Sequence, residues 1–209
     1  MEAAWVLAER GHRVSLYEAN DSLGGQWNIA SQQPHKDVYA TFTRHLERGL
    51  QNAGVQVALN KRVTLEFIKE QRPEAVVIAT GAGPMRLRIP GAEGKNVVQA
   101  VDIITSKATA GDRVVVIGGR FIGMEVADFL ARQGKDVSLI TKNRLGEDGV
   151  PLETMTYSAL RDSLIDSGVR LYPNSPVVEI RENGVYINFQ RALVFLRADT
   201  VVLAVGARP

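Results

Sequence analysis

The chain has 209 residues, 45% of them hydrophobic and 23% charged, with 25 Lys and Arg set against 23 Asp and Glu for a formal charge of +2. That length buries a core in one or two domains, and a near-balanced charge without a basic run or basic–aromatic stripe argues against a nucleic-acid partner. There is no cysteine and only three scattered histidines, His12, His35 and His45, so these residues hold no disulfide, thiolate metal centre, iron–sulfur cluster or redox cysteine pair.

No apolar stretch reaches the ~18 residues of a membrane helix, and no signal-peptide pattern opens the sequence. A cytoplasmic protein without a membrane partner is expected. The histidines read as surface residues, no metal site is expected, and no Ser–His–Asp spacing or carboxylate pair marks a group that makes or breaks bonds.

Taken in chain order, Ala, Leu and Glu predict a helix over 2–10, with Gly11 past its end, and Val14 to Tyr17 a short strand. DSLGGQWN (21–28) reads as a loop whose paired glycines let the backbone approach something closely. A helix is expected over 37–52, a strand over 55–59 and a brief helix near 64–70. AVVIA (75–79) then has the continuous apolar character of a buried parallel strand. Gly81 to Gly94 holds four Gly and two Pro and reads as a connection between domains. Strands follow at 113–118, 136–140 and 169–172, with helices at 122–133 and 152–167. Residues 176–198 read as antiparallel strands turning at Asn183–Gly184, and TVVLAV (200–205) as a closing buried strand. Strands alternating with helices predict an α/β fold with parallel sheets.

The chain also repeats itself. MEAAWVLAERGHRVSLYE at 1–18 recurs as MEVADFLARQGKDVSLIT at 124–141, with nine of eighteen positions identical at an offset of 123. VVIATGAGP (76–84) recurs as VVLAVGARP (201–209), with six of nine positions shared at an offset of 125. Two copies of one nucleotide-binding plan are therefore expected. What precedes the second copy is RVVVIGGRFIG, a strand and a glycine turn; the first copy is expected to be incomplete, with that part outside this sequence.

The strongest chemical signal is VVVIGGRFIGMEVADFLARQG, a strand running through a glycine turn directly into a helix. A helix N-terminus offers unpaired N–H groups and positive partial charge to a pyrophosphate. Gly118 and Gly119 shape the turn, Gly123 lets the helix pack on the strand, and Phe121 and Ile122 open the helix. The position two after Gly118, commonly glycine, is Arg120. Two readings stand: the long side chain crowds the pyrophosphate, or its guanidinium pairs with phosphate. Twenty-three residues after Gly118, where an acid would hold the ribose 2′-OH of NAD, stands Thr141, followed by Lys142, Asn143 and Arg144. A missing carboxylate with two cations nearby favours a 2′-phosphate and hence NADP over NAD; the alternative is that Lys142 and Arg144 are solvated loop charges. In the first copy Glu18 takes the place of Thr141, well set for a ribose.

LGGQWNIASQQPHKDVYATFTRHLE after Glu18, with ATGAGP and IPG further on, resembles a particular flavoprotein group: the 2,4-dienoyl-CoA reductase, 2-enoate reductase and trimethylamine dehydrogenase relatives. In that family an old yellow enzyme-like barrel carries FMN and an iron–sulfur cluster, and a C-terminal part resembles glutathione reductase, with an FAD domain interrupted by an NAD(P) domain. Essentially all 209 residues match that C-terminal part. The resemblance implies two Rossmann-like nucleotide-binding domains: an incomplete FAD-binding domain over 1–95, and an NAD(P)-binding domain with a small antiparallel element over 96–209 that returns toward the first near 205–209. It implies that Glu18 holds the FAD ribose, that Gly25, Gln26 and Trp27 line its pyrophosphate and ring region, and that Val63 sits by the adenine. Thr80 and Gly81 would approach the cofactor at the first crossing, with Val205 and Gly206 marking the second. The activity implied is hydride passage from NAD(P)H to FAD, feeding a barrel flavin that reduces an enoyl- or enoate-type substrate. The other reading is a non-catalytic nucleotide-binding or assembly module, and an exposed sheet edge in the first unit predicts a homodimer.

Overall fold

The computed structural model describes residues 1–33, 36–146 and 154–209. His35 and the first two residues of the helix expected over 152–167 lie outside them. The chain divides into two compact units, Met1–Gly81 and Ala82–Pro209.

The first unit contains α1 (Glu2–Glu9), β1 (Ser15–Tyr17), α2 (Gln26–Ala30), α3 (Val38–Asn52), β2 (Gln56–Ala58) and α4 (Leu65–Gln71). Its sheet is the parallel pair β1–β2, with Ser15, Leu16 and Tyr17 opposite Gln56, Val57 and Ala58. Helix α3 buries Thr43, Leu46, Gly49 and Leu50 along one stripe, the spacing of a helix with one apolar face. Gly49 is glycine for a packing reason: an added Cβ would come within 2.5 Å of the Trp5 ring of α1. Gln26 to Asn28, expected in a loop, open the short helix α2. Gly25 supplies its N-cap at φ +50°, and the Asn28 side chain donates to the Leu23 carbonyl at 2.6 Å.

The expected strand 75–79 is corrected. These residues belong to no strand, and Val76, Val77 and Ile78 are 50%, 63% and 81% exposed. Apolar continuity reports a demand for burial, but a strand also needs a neighbour to bond to, and none of the described residues supplies one.

The second unit is built on a five-stranded parallel sheet in the order β4-β11-β5-β6-β7, from β4 (Val97–Gln99), β5 (Arg113–Ile117), β6 (Asp136–Ile140), β7 (Arg170–Tyr172) and β11 (Thr200–Leu203). Helices α5 (Ala100–Ile104), α6 (Phe121–Arg132) and α7 (Thr154–Asp166) connect its strands. An antiparallel sheet of β8 (Val177–Arg181), β9 (Gly184–Phe189) and β10 (Ala192–Arg197) supplies the expected small element. Its first turn is Glu182–Asn183, with Gly184 opening β9, one residue earlier than the Asn183–Gly184 pair suggests. Side chains alternate across β5. Val115 and Ile117 join Ile140, Val201 and Leu203 in a core shared with Ile180, Val185 and Ile187 of the antiparallel sheet. Val114 and Val116 point the other way, toward the side on which α6 buries Met124, Val126, Ala127 and Leu130. Full burial of each such side chain is worth about 1.5–3 kcal/mol.

The connecting stretch 82–95 goes with the second unit, so the division falls at 81/82 and not at 95/96. Leu87, Ile89 and Ala92 pack on the second unit's core, and Ile180 N donates to the Pro90 carbonyl at 2.9 Å. Residues Gly83–Pro84 (β3) pair antiparallel with Ala207–Arg208 (β12). The closing strand ends at Leu203, leaving Ala204 and Val205 beyond it.

The internal repeat is a repeat in space. The β6–β7 register sets Ser138, Leu139 and Ile140 opposite Arg170, Leu171 and Tyr172. Moved by the offset of 123, those β6 residues are Ser15, Leu16 and Tyr17, which meet β2 in the same parallel sense.

Candidate functional site

The carboxyl ends of β5 and β6 and the start of α6 form the site that the second unit completes. Gly118 leaves β5 at φ +124°, a region that side chains avoid. Its N–H donates to the Ile140 carbonyl at 2.8 Å, and an added Cβ would sit on the Ala204 carbonyl oxygen. At Gly119 a Cβ would come within 2.7 Å of the Thr141 Cβ, and at Gly123 it would land on the Gly118 carbonyl oxygen. The three glycines therefore let a turn, a neighbouring strand end and a helix occupy one small volume.

Arg120 is the N-cap of α6, in extended conformation at φ −98° and ψ −175°. No side chain caps the helix, and its first turn carries no acidic residue, so its amides and positive end face the turn without a competing carboxylate. Phe121 is half-buried and Ile122 is 50% exposed. The backbone at 120 needs no glycine for its shape; room for a ligand is the one remaining use for glycine there.

Thr141, expected at the ribose, is buried. Its N–H donates to Tyr172 O at 3.0 Å and its carbonyl accepts from Ser175 N at 2.8 Å, which fixes the end of β6. Lys142 and Arg144 follow on the surface. Their loop is pinned at both ends, Asn174 N donating to Asn143 O at 2.9 Å and Gly146 N to Gly119 O at 2.8 Å. The two cations thus stand on a loop tied to the glycine turn.

Within the first unit Glu18 extends β1, its N–H donating to Ala58 O at 3.0 Å and its carbonyl accepting from Lys61 N at 2.8 Å. The backbone N–H and side-chain amide of Asn20 both donate to Glu18 Oε1, at 2.8 and 2.9 Å. Among the described residues Oε2 accepts no bond, so the carboxylate is oriented with one oxygen available. Asn20 is a positioning residue that sequence reasoning missed; Glu-x-Asn spacing after a strand is the signal for it, since a short side chain two residues on can turn back to the carboxylate. Lys61 Nζ lies 4.4 Å over the Phe67 ring, which itself packs edge-on against Tyr17 at 5.1 Å. Val63 is 37% exposed beside these groups in sequence.

Trp27 stands 43% exposed and meets Tyr39 and Phe42 edge-on, at 4.6 and 5.6 Å between ring centres. Gly25 and Gln26 are exposed at the start of α2. Thr80 and Gly81 lie exposed at the end of the first unit, with Gly81 at φ +74°. In the second unit Gly206 has φ +101°, and its carbonyl accepts from Met85 N at 2.9 Å; Val205 is half-buried.

The second unit's glycine turn and the acid-free first turn of α6 fit a dinucleotide pyrophosphate. The first unit fits a ribose at Glu18, but among its described residues no glycine turn faces that carboxylate. No cluster of three metal-ligating side chains occurs among the described residues, and no described helix is long and apolar enough to cross a membrane.

Comparison with known proteins covers this whole arrangement. The profile of the pyridine nucleotide-disulphide oxidoreductase family matches residues 1–209. The chain is 36% identical over 214 residues to an NADH oxidase of Thermoanaerobacter brockii, covering 100% of this chain and 33% of that protein. It is 32% identical over 207 residues to a cinnamate reductase of Clostridium sporogenes, covering 99% and 31%. Among solved structures, a 2-naphthoyl-CoA reductase in complex with 2-naphthoyl-CoA superposes with a TM-score of 0.90 at 31% identity, covering 99% of this chain and 31% of that one. The chain thus spans 33% and 31% of the length of those two curated relatives. The expected resemblance to enoate-reductase-type flavoproteins holds, as does the α/β fold with Rossmann-type units.

Proposed function

The chain belongs to the pyridine nucleotide-disulphide oxidoreductase family, and on that premise we propose that it is the nucleotide-binding part of an oxidoreductase that takes hydride from NAD(P)H onto FAD. The family uses FAD and NAD(P)H. One observation carries the reading: the turn Gly118-Gly119-Arg120 into α6, where three glycines leave no room for a Cβ and the helix end is open. Such an end binds a pyrophosphate through backbone N–H groups.

In this reading the residues of the second unit bind and orient the nicotinamide nucleotide, with Lys142 and Arg144 selecting a 2′-phosphate and hence NADPH. Glu18, oriented by Asn20, would take the ribose of FAD, and Gly25, Gln26, Trp27, Val63, Thr80, Gly81, Val205 and Gly206 would border it. Bound there, the cofactors would supply the chemistry, passage of a hydride from dihydronicotinamide to flavin, while these residues bind and orient them. The electrons would go on to reduce an unsaturated acyl substrate of the enoate class elsewhere in the protein, in keeping with the cinnamate and 2-naphthoyl-CoA reductases it resembles.

The test is the visible spectrum of the purified chain with and without FAD, followed by anaerobic NADPH. A flavin band near 450 nm, at about one FAD per chain, that bleaches on NADPH addition is expected. A colourless protein after FAD addition would leave the second reading, a nucleotide-binding or assembly module. The exposed Val76–Ile78 segment is the observation that favours that reading. Association through the first unit, as a homodimer or with another chain, goes with it and is read by light scattering.

A further inference from the structure

Among the described residues of the second unit, three of the four edges of its two main sheets are short or covered. Strands β4 and β7, which bound the parallel sheet, are three residues long. In the antiparallel sheet, β8 carries a bulge between Val177 and Glu179 and is covered by the segment 90–96. Ile180 N donates to the Pro90 carbonyl at 2.9 Å, and the Asn96 side chain donates to the Arg181 carbonyl at 2.9 Å. The opposite edge, β10, has none of these devices. Its six residues, Ala-Leu-Val-Phe-Leu-Arg, hold no proline, no bulge and no charge before Arg197. An uncovered apolar edge of that length is a template for another strand.

The register fixes which groups of β10 point outward. Ala198 N donates to Asn183 O, on the β9 side, whereas Asn188 N donates away from β10, to Pro176 O. Bonded and non-bonded pairs alternate along an antiparallel ladder. Ala192, Val194 and Leu196 therefore bond to β9, while Leu193, Phe195 and Arg197 direct their backbone groups outward, where no described residue meets them. The side chains divide in the same way. Val194 and Leu196 pack on the core, and Leu193 on the outer face is 65% exposed. Beside it Phe195 lies 4.8 Å from the ring of its β9 partner Tyr186, over which the Arg181 guanidinium stands at 4.9 Å.

We propose that β10 pairs antiparallel with β10 of a second copy of this chain across a twofold axis, joining two three-stranded sheets into one. The register that uses all three outward residues sets Phe195 opposite Phe195, and Leu193 opposite Arg197 on either side of the axis. The aromatic row of Tyr186 and Phe195 then continues through the axis into the second copy. At both ends the exposed Arg191 of one copy falls opposite Asp199 of the other, so the edge complements itself in charge. A shift of two residues toward the turn would set Arg191 opposite Arg197, and a shift the other way would set Leu193 opposite Asp199. Growth of β10 onto β8 of a further copy is blocked, because β8 is already bonded to Pro90 and Asn96. The pairing therefore closes as a dimer. A single strand pair is a small interface, so the association is expected to be weak and reversible. It depends on β10 alone and is independent of which nucleotide either unit binds.

The experiment is sedimentation velocity of the 209-residue chain over a wide concentration range, beside the variants Leu193→Lys and Leu193→Glu. A concentration-dependent equilibrium between monomer and dimer is expected. Both variants remove the same mostly exposed side chain and leave the core intact. Opposite Arg197 a glutamate attracts and a lysine repels, so the Glu variant dimerises about tenfold or more tighter than the Lys variant. Amide exchange at 193–197 slows by about tenfold or more on going from dilute to concentrated protein. A chain that stays monomeric throughout overturns the proposal, even if it binds some other protein. So does a dimer in which the Lys variant associates as tightly as the Glu variant, or in which exchange at 193–197 does not change with concentration. In those cases the copies meet through another surface, such as the first unit.

Discussion

At the level of single residues the glycine turn is the most constrained part of the molecule. Gly123→Ala would force a methyl onto the Gly118 carbonyl, and overpacking of this kind costs about 1–3 kcal/mol. Both a lower denaturation midpoint and loss of nucleotide binding are expected. Gly118 and Gly123 were legible in the sequence because their roles are steric and local. Arg120 was not, since sequence leaves crowding and phosphate pairing equally open. Its extended backbone and the uncapped, acid-free first turn of α6 favour pairing. Arg120→Ala is therefore expected to weaken NADPH binding by about tenfold, the worth of one charge-assisted hydrogen bond, as read by calorimetry; tighter binding would establish crowding instead. The double change Lys142→Ala and Arg144→Ala is expected to weaken NADPH binding by about tenfold or more while leaving NADH nearly unchanged, because in the proposed reading only the 2′-phosphate would meet those cations. Thr141 is a poorer place to install an acid than its sequence position suggests, since it is buried beneath Gly119.

Among the elements, α6 and α7 are joined by a polar clasp that sequence did not announce. Asp128 accepts from Arg132 Nε at 2.8 Å, Ser163 Oγ at 2.8 Å and Ser167 Oγ at 2.9 Å, and Arg132 also donates to Ser163 Oγ at 2.8 Å. Partial burial pushes the Asp128 carboxyl up, but these hydrogen bonds outweigh it and hold the group below its ordinary value. A carboxyl lowered by folding contributes stability that is complete above its unfolded value and is lost as pH falls through the folded one. Asp128→Asn is thus expected to cost about 1–3 kcal/mol near neutrality, and to remove the part of the wild-type stability that disappears below about pH 4. Urea titrations of both proteins at pH 7 and pH 3 measure this. Helices α1, α3, α4 and α6 and strands β1, β2, β5, β6 and β7 were readable to within a residue or two, because apolar period and glycine stops are local signals. The short pieces β3, β4, β12, α2 and α5 were not, because they exist by virtue of what they pair with or cap.

Over the whole molecule, the burial contrast between the repeats predicts a contrast in local stability. Amides of β5, β6 and β11 are expected to exchange only on global opening, and those of 75–80 close to the rate of an unstructured chain; exchange followed by mass spectrometry reads both. AVVIA and TVVLAV look alike in sequence, yet Val202 is 0% exposed and Val77 is 63% exposed. By itself the sequence determined the α/β class, the repeat, the family resemblance and the glycine turn, because each is written in spacing along the chain or in the steric needs of single residues. Only the tertiary structure decided that 75–79 is not a strand, that Thr141 is core, that Asn20 aims Glu18, and that 82–95 goes with the second unit. Each of those depends on which distant backbone groups stand alongside, and hydrogen bonds between strands are satisfied by neighbours in space.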